Sequence, residues 1–237
     1  MGRNREITKG RRTPKKIIYL ACEGGTTGTE GVYVKQLCSA YNCTLIPMYK
    51  GSADPLTLAC AAIEFVARDP DLPEMAEVWV VFDNDEPRKV KEAYRKIECY
   101  NTAHGLNAPK INIAFNAPSI ETWGLLCCAQ KVAEDAKVNQ AKLHACMNRY
   151  EHSRDPHFDF DTMESGYETG LKKAVAWQVS ACDTPEYECT LFAGIYKLVK
   201  SIKEDDSSYF SKKIGEGFNR LFADLACNND GTSKTPL

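Results

Sequence analysis

Histidine is scarce, with four in 237 residues, and His104, His144, His152 and His157 lack the spacing of a zinc site. Cysteine is not scarce, but its eleven copies are odd in number and contain no C-x-x-C, which argues against a zinc ribbon. The glycine-rich stretch at residues 24–31 is followed by no Gly-Lys-Ser/Thr, so it is not a Walker loop. No Ser or Cys occupies a G-x-S-x-G elbow, and a covalent mechanism has no motif behind it. Long apolar runs are missing too: Ile17 to Cys22 and Val78 to Phe82 stop far short of a membrane span. The charged N-terminus carries no apolar segment of signal-peptide type. These absences predict a cytoplasmic protein with no membrane partner, whose cysteines are mostly small buried apolar side chains in a reducing compartment.

An excess of one charge is also lacking. Thirty Lys and Arg stand against 32 Asp and Glu, a net charge of −2, so bulk basicity does not argue for nucleic-acid binding. The distribution is uneven. Residues 1–16 hold Arg3, Arg5, Lys9, Arg11, Arg12, Lys15 and Lys16 against Glu6 alone. Such an arm can track phosphates, with Arg11 and Arg12 as candidate nucleic-acid contacts, or simply be a solvated tail.

What is present is a globular composition, 43% hydrophobic and 26% charged, with enough chain for one large α/β domain and a helical appendix. Short β-branched or aromatic runs alternate with longer 3.6-period stretches through the first two thirds, the pattern of βα units on a parallel sheet. Strands are predicted at Lys16 to Cys22, at Cys43 to Tyr49 near an edge because of Pro47, at Glu77 to Phe82, and at Ile111 to Phe115. The first helix carries Val34, Leu37, Cys38 and Tyr41, with Thr27 and Glu30 at capping-box spacing. The second starts at Asp54 and Pro55 with Leu56, Ala59, Cys60, Ile63 and Ala67 inward. The third runs from about Pro87 to His104 with Val90, Ala93, Tyr94 and Ile97, and ends at Gly105. The fourth opens near Asn116 to Ser119.

Beyond residue 136 the pattern turns helical, near Asn139 to Asn148, Thr169 to Ser180, Glu186 to Ile202 and Ser208 to Cys227. The predicted organisation is a basic arm at 1–15, an α/β catalytic domain of about four parallel strands sandwiched by helices at 16–136, a helical lobe at 137–230 and a disordered tail at 231–237.

Loops after the C-terminal ends of parallel strands converge on one edge, and here they deliver acid. The first strand ends at Cys22-Glu23-Gly24-Gly25 and the third at Asp83-Asn84-Asp85-Glu86, while Glu121 follows the fourth within two helical turns. Carboxylates crowded together repel one another, so a hard divalent ion, Mg²⁺ or Mn²⁺, is the economical explanation. The bland alternative is turn and helix-cap chemistry, since Asp before Pro87 is an ordinary helix start. The helix after Asp85 places Arg88, Lys89, Lys91, Arg95 and Lys96 beside this edge. They can grip a nucleic-acid backbone or form the wet face of an amphipathic helix. The glycines at 24–31 invite a phosphate cradle at a helix N-terminus or a flexible turn.

The order Cys22-Glu23-Gly24, Thr29-Glu30 with Tyr33, Val78-Trp79-Val80-Val81-Phe82-Asp83-Asn84-Asp85-Glu86, then Asn116, Ser119, Glu121 and Trp123-Gly124-Leu125-Leu126 resembles the RloB-like family, found beside bacterial restriction-modification and abortive-infection loci. The resemblance covers about residues 12 to 130. It implies a Toprim-like fold in which Glu23 is the strand-end glutamate and Asp83 with Asp85 the D-x-D pair, binding Mg²⁺ or Mn²⁺. It further implies a metal-dependent nuclease of anti-phage defence acting on DNA or RNA, with a partner defence protein and a homo-oligomer as possible company. Glu121 is then a fourth ligand or water-positioning base. The chain departs from the family pattern in having four residues, Gly25 to Gly28, where two are usual. It also has one more residue before Glu121, and Cys127 where a His is expected. The rival readings are a nucleotide-sugar glycosyltransferase, which would use Asp83 and Asp85 and leave Glu23 idle, and a non-catalytic nucleic-acid- or partner-binding subunit.

Overall fold

The computed structural model describes residues 15–204 except 74, 106–107, 148–149 and 152–156. The basic arm with Arg11 and Arg12, and the helix predicted at Ser208 to Cys227, lie outside the described residues. Strands and helices alternate as the hydrophobic period requires: β1 (Ile17–Cys22), α1 (Thr29–Ala40), β2 (Thr44–Pro47), α2 (Pro55–Arg68), β3 (Ala76–Asp83), α3 (Pro87–His104), β4 (Ile111–Ala117) and α4 (Glu121–Cys127). Then come α5 (Ala136–Cys146), α6 (Phe160–Ser180), a 3₁₀ turn (Glu186–Glu188), β5 (Phe192–Ala193) and α7 (Ile195–Glu204).

The sheet has five strands in the order β2-β1-β3-β4-β5. The first four are parallel, and β2 is an edge, as Pro47 predicted. The fifth strand corrects the expectation of four. Two residues of β5 pair antiparallel with the end of β4, Ala193 opposite Asn116 and Phe192 opposite Ala117. So short a pairing has no alternation to read. The helix predicted over Glu186 to Ile202 is accordingly broken. At its break stands Gly194, whose N–H donates to the Phe115 carbonyl at 2.7 Å; a Cβ there would lie 2.4 Å from that same oxygen.

Side chains alternate cleanly between the two faces of the sheet. Leu20, Cys22, Trp79, Val81 and Ala114 face α1 and the helices from α4 to α7, where Tyr33, Leu37, Trp123, Leu171 and Leu198 bury against them. Tyr19, Ala21, Val78, Val80, Phe82 and Phe115 face α2 and α3, packing on Leu58, Ala62, Val66, Val90, Tyr94 and Ile97. The helices after residue 136 thus share the core of one sheet face.

Three local expectations change. In α2, Asp54 caps the helix as predicted, accepting from Leu56 N and Thr57 N, but the inward stripe is Leu58, Ala59, Ala62 and Val66. Leu56 is half-buried and Ala67 exposed, because an alanine-rich helix offers two apolar stripes of equal spacing. In α1 the cap is Gly28, with no side-chain cap bond, not Thr27. Asn116 belongs to β4 and opens no helix.

Candidate acidic active site

β1, β3 and β4 run in register, so their exits share one edge. Cys22 pairs with Val81 and Asp83 with Asn116, which sets Glu23 beside the end of β3. The Asp83 backbone amide is near enough to the Glu23 carboxylate to favour its charged form. Asp83, the last residue of β3, is 8% exposed. Its Oδ1 accepts from Asn116 Nδ2 at 3.2 Å and its Oδ2 from the Ile120 N–H at 3.1 Å. Asp85 is exposed in the following turn, and its charge is felt by Glu23.

The structure adds a carboxylate that the capping-box spacing concealed. Glu30, in the first turn of α1, is 6% exposed and lies over the exit of β1. The reason is a tight turn: a Cβ on Gly24 would sit 2.6 Å from the Gly28 Cα and 3.2 Å from Glu30 Oε2. Gly28 N–H donates to the Gly24 carbonyl at 2.9 Å, so the glycine segment is closed on itself and carries an acid, unlike an open phosphate cradle. The i, i+4 spacing of Gly24 and Gly28 was the available signal for where α1 begins.

Burial and neighbouring charge raise the pKa of Glu23 and Asp83. Burial first, then the charges of Glu30 and Asp85, push Glu23 up to about 8. Burial, then Glu30, Glu23 and Glu121, hold Asp83 well above the usual carboxylate range. Cys22, buried and facing Glu30 and Glu23, is pushed up as well and stays a thiol.

Glu121 lies near Asp83 but is 2% exposed. Its Oε2 accepts from Ser119 Oγ and its Oε1 from the Tyr150 hydroxyl, each at 2.5 Å. Tyr150, fully buried, went unread in the sequence because it stands outside any periodic segment; its carbonyl lies 2.6 Å from His144 Nδ1. Of the basic residues, Arg88 is exposed on the first turn of α3. Lys89 is engaged with Glu86 at 2.8 Å and Asp54 at 3.6 Å, fastening α3 to the cap of α2.

Among the described residues, no three His, Cys, Asp or Glu side chains form a ready-made metal cage. The donor set nevertheless suits a hard divalent cation. It is all oxygen, it is crowded enough to retain protons, and each Asp83 oxygen keeps a lone pair after its protein hydrogen bond. Beside it, Asn84 Oδ1 is buried without a hydrogen-bond partner.

A mostly parallel α/β sheet with acid gathered at its strand exits is the class this molecule defines, and the arrangement is consistent with a Toprim-like fold. The model of the RloB-like protein family matches residues 18–202, well over half of the chain, and the protein belongs to that family. No curated protein and no solved structure matches it. No helix among the described residues is long and apolar enough to cross a membrane.

Proposed function

We propose that the protein is a Mg²⁺- or Mn²⁺-dependent phosphodiesterase, a nuclease acting on DNA or RNA in defence against phage. The observation that carries this is the register of β1 and β3, which brings Glu23 beside Asp83, 60 positions along the chain, close enough for its charge to raise the Asp83 pKa. Glu23, Asp83, Asp85 and Glu30 would hold the cation. When bound, a divalent ion supplies charge neutralisation at the phosphate and acidifies a coordinated water.

The chain's own groups supply the rest. Asp83 is fixed in one orientation by Asn116 and Ile120, so its remaining lone pairs face a constant direction. Glu23, set beside Asp83 at the strand exits, would take the proton of the water that attacks phosphorus as the P–O bond to the leaving oxygen breaks. Glu121, with both oxygens occupied by hydroxyls, braces the edge behind Asp83. Arg88, exposed beside Asp85, is placed to meet a backbone phosphate, with Arg11 and Arg12 as further candidates. A D-x-D glycosyltransferase would have no use for a glutamate so close to Asp83.

The test is cleavage of plasmid, single-stranded DNA and total tRNA by the full chain, with and without Mg²⁺ or Mn²⁺. Metal-dependent cleavage lost in Asp83→Ala/Asp85→Ala is expected. Cleavage that persists unchanged in that variant would falsify the assignment.

A further inference from the structure

Asn116 is wholly buried at the end of β4, and both ends of its amide are used. The backbone N–H of Ile195, the first residue of α7, lies 3.2 Å from Asn116 Oδ1. A backbone N–H can only donate, so this contact settles which end of the amide is oxygen. The Nδ2 end must then face Asp83 Oδ1, 3.2 Å away. The other Asp83 oxygen is held by the Ile120 N–H at 3.1 Å. Two donors therefore bracket Asp83, and the orientation of one of them is dictated by α7, 79 residues along the chain from Asn116.

We propose that Asn116 is a positioning residue that transmits the seating of α7 to Asp83, so that the carboxylate meets the acidic edge in a single orientation. This rests on the assignment of Asp83 as a ligand of a divalent cation. A buried asparagine that merely ties β4 to α7 would matter for stability alone. A positioning asparagine matters for the site at equal stability, as the hydrogen-bond partners of metal ligands do, where losses of about 10- to 100-fold in affinity or activity are typical.

The experiment compares the full-length wild type with Asn116→Leu, Asn116→Ser and Val66→Ala. The Val66 side chain, fully buried near the C-terminal end of α2 in the core on the sheet face opposite α7, supplies a variant that is destabilised without disturbing the seating of α7. Each is examined by thermal melting, by Mn²⁺ affinity from electron paramagnetic resonance, and by kcat and KM on whichever nucleic acid the wild type cleaves. Asn116→Leu is expected to weaken Mn²⁺ binding about 10- to 100-fold and to lower kcat by a similar factor with KM little changed. Val66→Ala is expected to melt lower while keeping Mn²⁺ affinity and kcat. If Asn116→Leu does not fold, Asn116→Ser decides, because its hydroxyl is too short to reach Asp83.

Wild-type Mn²⁺ affinity and kcat in a folded Asn116 variant would overturn the proposal, as would equal losses in Val66→Ala. Mn²⁺ binding that depends on Asp83, without cleavage of any nucleic acid, would overturn the nuclease assignment, and the Mn²⁺ affinities alone would then decide for or against Asn116. No Mn²⁺ binding by the wild type overturns both.

Discussion

A buried carboxylate with two further acids, Glu30 and Asp85, close by makes the folded state sensitive to pH. Glu23 has a folded pKa of about 8 against a reference of 4.5. Between those values the folded protein keeps a proton that the unfolded chain has released, so stability falls as pH rises through this window. In chelator-treated protein, Glu23→Gln should melt a few degrees higher than wild type above pH 8 and show no advantage near pH 4, as read by circular dichroism. Tyr150 invites a second residue-scale test. Tyr150→Phe keeps the ring packed on Phe158 but removes the O–H donated to Glu121, and should cost about 1–3 kcal/mol in urea unfolding. Glu23, Asp83 and Asp85 could be found in the sequence because each follows a strand exit that periodicity locates. Glu30 and Asn116 stood in the motif that carries the resemblance and Tyr150 did not, but the contacts of all three were unreadable because they form across the fold: a glycine–glycine approach, an amide shared with α7, and a hydroxyl brought in from beyond α5.

At the scale of elements, strands β1 to β4 and helices α1 to α3 were legible within a few residues, since each carries an unbroken period and several carry a cap or breaker, such as Asp54 and Gly105. The first half of α6 was not. Gly166 and Gly170 interrupt its stripe, yet both are needed where α6 crosses α4: a Cβ on Gly166 would lie 2.1 Å from the Cys127 carbonyl oxygen. The junction between β5 and α7 was equally opaque, and it carries a prediction. Gly194→Ala would drive a methyl into the backbone of β4, lifting Ile195 from Asn116. A destabilisation of about 1–3 kcal/mol is expected by urea titration; an unchanged midpoint would show that β5 yields without strain.

For the whole molecule, the parallel α/β class was legible from the alternation of periods, and the family match confirms the resemblance carried by the acidic motifs. Harder to read was how the C-terminal helices join the sheet, because their apolar stripes say that they are covered without saying by what. Their side chains Leu171, Leu198 and Val199 bury in the same cluster as Leu20 and Val81 of the sheet. Ending the chain after residue 136 should therefore strip one sheet face and abolish a cooperative thermal transition, whereas the full chain should melt in a single step measured by far-ultraviolet circular dichroism.

The outer boundaries of the sheet govern how copies of the protein can meet. β2 spans four residues, and the N–H groups of Thr44 and Met48 turn inward to Lys16 and Leu20, so by alternation the outward positions are Leu45 and Pro47. Proline brings no N–H to an approaching strand. The opposite boundary, β5, is two residues long. Neither rim offers a run along which another chain could zip, so the sheet resists templated fibril growth. Among the described residues, helices and loops, and no long strand edge, are the surfaces open to self-association.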